Sequence, residues 1–187
     1  MALLIALAVG LGIIVLLALW FFAIYNSLVR LRQEVKNSWA QIDVQLKRRH
    51  DLIPNLVETV KGYAGHEKST LEEVVKARAA AVSAEGVEAR GAAERGLSGA
   101  LGRLMLIVEQ YPDLKANQNF LALQEELTST ENKIGFARQY YNDSVMQYNT
   151  RIQVVPANVV AGMCQFRPET FFEIEDQAER AVPQVKF

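Results

Sequence analysis

The sequence predicts an all-α protein: an N-terminal transmembrane helix continuous with an antiparallel bundle of long helices, three long plus a short C-terminal helix, like a four-helix bundle. Three observations carry this. Residues 1–29 contain no charged side chain. Beyond them, apolar residues return in steps of three and four over long stretches, which is the period of one helix face. With only 5 Pro in 187 residues and few β-branched runs, little favours sheet. The expected division is a membrane anchor over residues 1–27 and a helical body with an apolar C-terminal tail over residues 28–187.

The anchor is read from the stretch LLIALAVGLGIIVLLALWFFAIY. A helix over residues 1–25 is roughly 37 Å long, enough to cross a hydrocarbon core of ~30 Å with some tilt. A cleaved secretory signal would need a basic start and a small-residue cleavage site. The sequence supplies neither. Arg30, Arg32 and Lys36 follow the span closely, and nothing basic precedes it except the terminal amino group. The positive-inside rule then places the N-terminus outside and the body in the cytoplasm, as a single-pass protein of a bacterial inner membrane. Trp20, Phe21, Phe22 and Tyr25 read as an aromatic belt at the inner interface.

Past the span the apolar stripe continues through Leu28, Leu31, Val35, Trp39, Ile42, Leu46, Ile53, Leu56, Val60 and Tyr63, with one gap at Arg49. Pro54 lies inside this pattern and predicts a kink near residues 49–51, because it removes a backbone donor. A second helical stretch opens near His66, with Ser69 or Thr70 as its expected cap. A break is expected at residues 86–91, where Gly86 and Gly91 fall in an Ala- and Gly-rich segment. The third long helix has the cleanest seam: Phe120, Leu123, Leu127, Thr130, Ile134, Ala137, Tyr141, Ser144 and Tyr148.

Composition narrows the function classes. Twenty Lys and Arg against 21 Asp and Glu leave no basic excess for nucleic acid. One Cys and two His residues, His50 and His66, match no metal-ligand spacing. The stretch KRRHDLIPN places His50 beside Asp51, but neighbours on a helix point about 100° apart. His50 reads better as a buried, hydrogen-bonded imidazole, with Arg48 and Arg49 paired to Glu125, Glu126 or Glu131 on a facing helix. Asn117, Asn119, Glu125, Glu126, Glu131 and Asn132 cluster along the third helix, but no His accompanies them as di-iron bundles require. In GLSGALG, around Ser98, Ala100 stands where a nucleophile elbow needs Gly. Phosphate-cradling Gly motifs are absent. No catalytic residue, metal or cofactor is therefore assigned.

Signals for association are stronger. Ala2, Ala6 and Gly10 repeat every four residues, a small-residue face along which helices approach closely. Phe171, Phe172, Val185 and Phe187, with Val182, make the C-terminus too apolar to stand in water. These are the candidate association residues.

Several islands of the sequence resemble the LemA family of bacterial membrane proteins. They are YNSLVRLRQEVKNSWAQIDVQLKRRHDLIPNLVETVKGYAGHEKSTLEEVVKAR, YPDLKANQNFLALQEELTSTENKIGFARQYYN, the YN before the Pro-containing turn at Tyr148 to Pro156, and the closing FFE and PQVKF. The resemblance implies a bundle of long helices behind one span and no settled enzymatic activity. The expected role is a non-enzymatic, membrane-anchored scaffold that self-associates and organises membrane components. The alternative is a sensor or adaptor regulating a membrane enzyme such as a protease. The expected partners are the lipid bilayer and further copies of the chain, with another membrane protein as the alternative, and no nucleic acid.

Overall fold

The computed structural model describes residues 1–172, and helices dominate them. Helix α1 spans Ala2–Lys61, α2 Lys68–Ser83, α3 Val87–Val108, α4 Pro112–Lys115, α5 Gln118–Gln153 and α6 Ala157–Met163. No strand occurs among the described residues. They form two compact units, and both α1 and α5 contribute a segment to each.

The first unit joins Met1–Trp39 to Tyr140–Glu169. Its helical segments run antiparallel. The rings of Trp39 and Tyr141 lie 5.3 Å apart. One heptad from Trp39 and from Tyr141, Arg32 covers the ring of Phe166 at 5.0 Å, while the Tyr148 hydroxyl donates to the Arg167 carbonyl at 2.9 Å. Ile24, Leu28, Val35, Tyr141, Val145, Tyr148 and Ile152 are buried in this unit. After α6, Gln165 takes a φ of +55°. The Phe166 N–H then bonds the Ala161 carbonyl, and the Gln165 N–H bonds the Gly162 carbonyl. This pair of bonds is a Schellman closure. Asn149 fastens the returning chain, donating to the Glu169 carbonyl at 2.8 Å and accepting from its N–H at 2.9 Å.

The second unit holds residues Ala40–Gln139 with the described residues from Thr170. Its core gathers Ile53, Leu56 and Val60 of α1, Leu71 and Val74 of α2, Leu97, Leu101 and Leu104 of α3, Leu114 and Phe120. Helices α2 and α3 pack on one another as a hairpin. The expected break falls at its tip, where Gly86 adopts φ +82°, a conformation that disfavours any side chain. Helix α3 then runs unbroken through Gly91, Gly96, Gly99 and Gly102.

One local expectation changes. Helix α2 begins at Lys68 with Glu67 at the cap position and no side-chain cap bond, so neither Ser69 nor Thr70 caps it. Helix α1 is not interrupted at Pro54. The donor that Pro54 lacks would have served the His50 carbonyl four residues earlier. Arg78 Nε donates to that oxygen instead, at 2.6 Å. Helix α5 has a side-chain cap: Asn117 Oδ1 accepts from the N–H groups of Asn119 (2.9 Å) and Phe120 (3.1 Å).

Candidate functional site

Within the second unit, the gap in the apolar stripe of α1 is the most polar place in the interior. Counting in sevens from Leu28 gives Val35, Ile42, Arg49 and Leu56, and all are buried. A cation at such a position needs a partner out of water, because desolvating a lone charge is expensive. Glu94 of α3 supplies it and is itself 0 % exposed.

Arg49 Nη1 lies 3.5 Å from Glu94 Oε2 and 3.2 Å from Glu131 Oε2 on α5. Arg49 Nη2 donates to Ser98 Oγ at 2.8 Å. His50 Nε2 stands 2.7 Å from Glu94 Oε1. A carboxylate only accepts, so that nitrogen carries the proton. Glu131 is 53 % exposed in its side chain, so water screens its share, and the dry part of the network is Arg49, His50 and Glu94. Arg48 pairs with Glu126 on the outside. Both arginines thus meet acids of α5, as the sequence suggested, and His50 is a buried, bonded imidazole. His50 does not face Asp51, which is exposed.

The remaining sequence candidates resolve into structural roles. Ser98 sits mid-helix in α3 as the acceptor for Arg49, not on an elbow. Asn117 caps α5 and also donates to the Tyr63 hydroxyl at 2.9 Å. Among the described residues no group of three or more His, Cys, Asp or Glu is placed to hold a metal ion. A cleft of about 280 Å³ borders His50. Of the charged side chains lining it, Arg90 pairs with Asp43 and Arg78 is held by the His50 carbonyl; Lys47 and Asp51 complete the rim. Two of its three cations are therefore already engaged by the chain.

In the first unit, Ala2 and Ala6 are exposed and Gly10 is partly so. Trp20 and Phe22 are exposed, Phe21 stacks edge-on against Phe22, and Tyr25 packs edge-on against Phe166 at 5.8 Å. In the second unit Phe171 is exposed while Phe172 is fully buried within the chain, which removes Phe172 from the surface open to another molecule. Val182, Val185 and Phe187 lie outside the described residues.

Three tyrosines of the first unit hold their protons more tightly than usual. Burial, then the negative charge of Glu169, pushes Tyr141 up to about 12. The same two causes raise Tyr148, opposed by Arg32. Tyr140 is raised chiefly by its hydrogen bond to Glu34, 2.6 Å long.

Sequence reasoning missed Glu94, which lies between the islands that resemble the LemA family. A signal was present: Glu94 shares a helical face with Leu97, Leu101, Leu104 and Val108, all buried. An acid on an apolar stripe calls for a buried cation, and Arg49 is a cation on an apolar stripe.

Long packed helices, a polar network closed on itself and one helix long and apolar enough to cross a membrane define a membrane-associated, all-α protein. The LemA family profile matches residues 38–187, and the chain belongs to the LemA family. It is 26 % identical to magnetosome protein MamQ 2 of Paramagnetospirillum magneticum, aligned over 80 % of this chain and 64 % of that protein. It is 25 % identical to magnetosome protein MamQ of Magnetospirillum gryphiswaldense, over 86 % of this chain and 70 % of that one. It is 27 % identical to protein LemA of Metamycoplasma hominis, over 75 % and 67 %. The chain thus spans less than two thirds of the length of the first of these relatives.

Proposed function

We propose that this protein is a non-enzymatic scaffold, held in the membrane by α1, that self-associates through its helices and organises other membrane components. The observation that carries the reading is how the second unit distributes its side chains. The buried polar groups Arg49, His50 and Glu94 satisfy one another, whereas an active site leaves such groups convergent on a cavity. On α5 the opposite holds: Phe136 is 74 % exposed and Leu121 also faces outward, flanking Glu125, Thr128, Asn132 and Lys133 along one shallow face. An exposed aromatic between polar neighbours suits a helix–helix contact with another copy. The small-residue face Ala2–Ala6–Gly10 offers a second contact inside the bilayer. Arg30, Arg32 and Lys36 favour an inner-membrane orientation with the N-terminus outside and the helical body in the cytoplasm.

The test is the mass of the full-length chain in mild detergent, by light scattering. The expected result is an assembly of several 20.9 kDa chains that shrinks with Phe136→Glu, with Ala6→Leu, or with both. A monomer at all concentrations sinks the self-association reading. A monomer that co-purifies with one membrane enzyme in fixed ratio would replace the scaffold with an adaptor.

A further inference from the structure

Residues 152–166, IQVVPANVVAGMCQF, contain no Asp, Glu, Lys or Arg and are bracketed by Arg151 and Arg167. After the N-terminal span this is the longest uncharged run in the chain. It folds as the end of α5, a turn and α6. Ala157, Val160 and Ala161 face inward and are buried. The opposite face is apolar too: Val155, Val159 and Met163, spaced four residues apart, are 79, 55 and 71 % exposed, and Val154 is exposed beside them. A soluble surface helix would place polar residues there.

The position of this face within the first unit says what covers it. Trp39 meets Tyr141, and the segments run antiparallel, so each residue along α5 moves roughly 1.5 Å towards the membrane end of α1. Stepping fourteen residues from each brings Val155 to the level of Tyr25. The contact of Phe166 with Tyr25 and the burial of Ile24 and Leu28 agree with that level. Tyr25 closes the apolar span, which at about 37 Å is only a few ångströms longer than the hydrocarbon core. The exposed valines and Met163 therefore lie beside the point where α1 leaves the bilayer.

We infer that the α5–α6 corner is a second membrane contact, an interfacial wedge whose Val154, Val155, Val159 and Met163 enter the boundary between headgroups and acyl chains. Its ligand is the lipid surface, and the flanking Arg30, Arg151 and Arg167 suit anionic headgroups. The inference rests on α1 crossing the membrane. Two contacts fix the first unit against the bilayer plane, where a single span would leave it free to swivel.

The test uses the full-length chain with Cys164→Ser, reconstituted into phosphatidylcholine–phosphatidylglycerol vesicles. Single spin labels are placed at Val159→Cys and Met163→Cys, with Leu11→Cys in the span and Leu106→Cys on exposed α3 as references. Collision with oxygen is compared with collision with a water-soluble nickel chelate. The expected result at positions 159 and 163 is a several-fold preference for oxygen, between the values at 11 and 106. A ratio equal to that at 106, with 11 reading lipid, overturns the wedge and leaves the anchor standing. Lipid-free behaviour at 11 as well overturns both. Low access to both reagents at 159 and 163 means that protein covers the face, and also overturns the proposal.

Discussion

Arg78 donates a 2.6 Å hydrogen bond to the main-chain oxygen of His50, the carbonyl that Pro54 leaves without its helical donor. A side chain from α2 thus completes the backbone of α1. The bond also ties the α2–α3 hairpin to the helix beside the buried network.

The first prediction is a coupling between residues that do not share a bond. Arg78→Ala should destabilise the protein by about 1.5–3 kcal/mol, the usual range for a hydrogen bond made by a charged group. In a Pro54→Ala background residue 54 regains its N–H and can serve the His50 carbonyl, so the same substitution should lose at least half of its effect. A denaturant-unfolding double-mutant cycle measures this. Equal effects in both backgrounds would show that Arg78 acts by packing alone.

The second concerns the dry ion pair. Arg49→Met leaves the fully buried Glu94 bonded to His50 without its cationic partner and should lower stability by about 3–5 kcal/mol. Replacing the group together, Arg49→Met with His50→Leu and Glu94→Leu, should recover most of that loss, because apolar side chains carry no desolvation penalty. If the triple variant is worse than the single one, the polar network contributes net stability. Amide exchange along α1 and α3 would reveal whether the apolar version keeps one register.

The third is alkaline sensitivity in the first unit. The pKa of Tyr141 is raised to about 12 in the folded chain, against about 10 unfolded. Between these values the unfolded chain has released a proton that the folded chain keeps, so stability falls as pH rises through the window. The contribution is intact below pH 10 and gone above 12. Two units correspond to a loss on the order of 2–3 kcal/mol. Tyr141→Phe should flatten the melting temperature between pH 10 and 12, leaving the slope that Tyr148 and Tyr140 contribute. An unchanged slope would assign the effect elsewhere.

The fourth is a gain. Gln165 closes α6 at φ +55°, where a side chain costs about 1 kcal/mol relative to Gly. Gln165→Gly should stabilise the chain by up to about 1 kcal/mol, offset in part by a freer unfolded state. Thermal unfolding of the full-length protein in detergent provides the readout.

How much could be read in advance differs from residue to residue. The seam of α5 was legible because Phe120, Leu123, Leu127, Thr130, Ile134, Ala137, Tyr141, Ser144 and Tyr148 repeat in threes and fours; Leu123, Leu127 and Ala137 are partly buried and the other six are buried. The break at Gly86 was legible because one residue type favours its conformation. The cap of α2 was misplaced by two or three residues because an acceptable Ser or Thr is only a local preference. Glu94 was passed over because its partner is 45 residues away, and no local pattern records a distance of that kind.

By itself, then, the sequence determined the class of this molecule: one apolar span, long amphipathic helices and their polar faces, all consequences of periodicity and charge within a few turns of chain. Only the tertiary structure decided which polar residues are spent on one another. The pairing of Arg49 with Glu94, the rescue of the His50 carbonyl by Arg78 and the return of Phe166 onto Tyr25 each join residues remote in the chain. Their energies depend on burial, and burial exists only once the helices have packed.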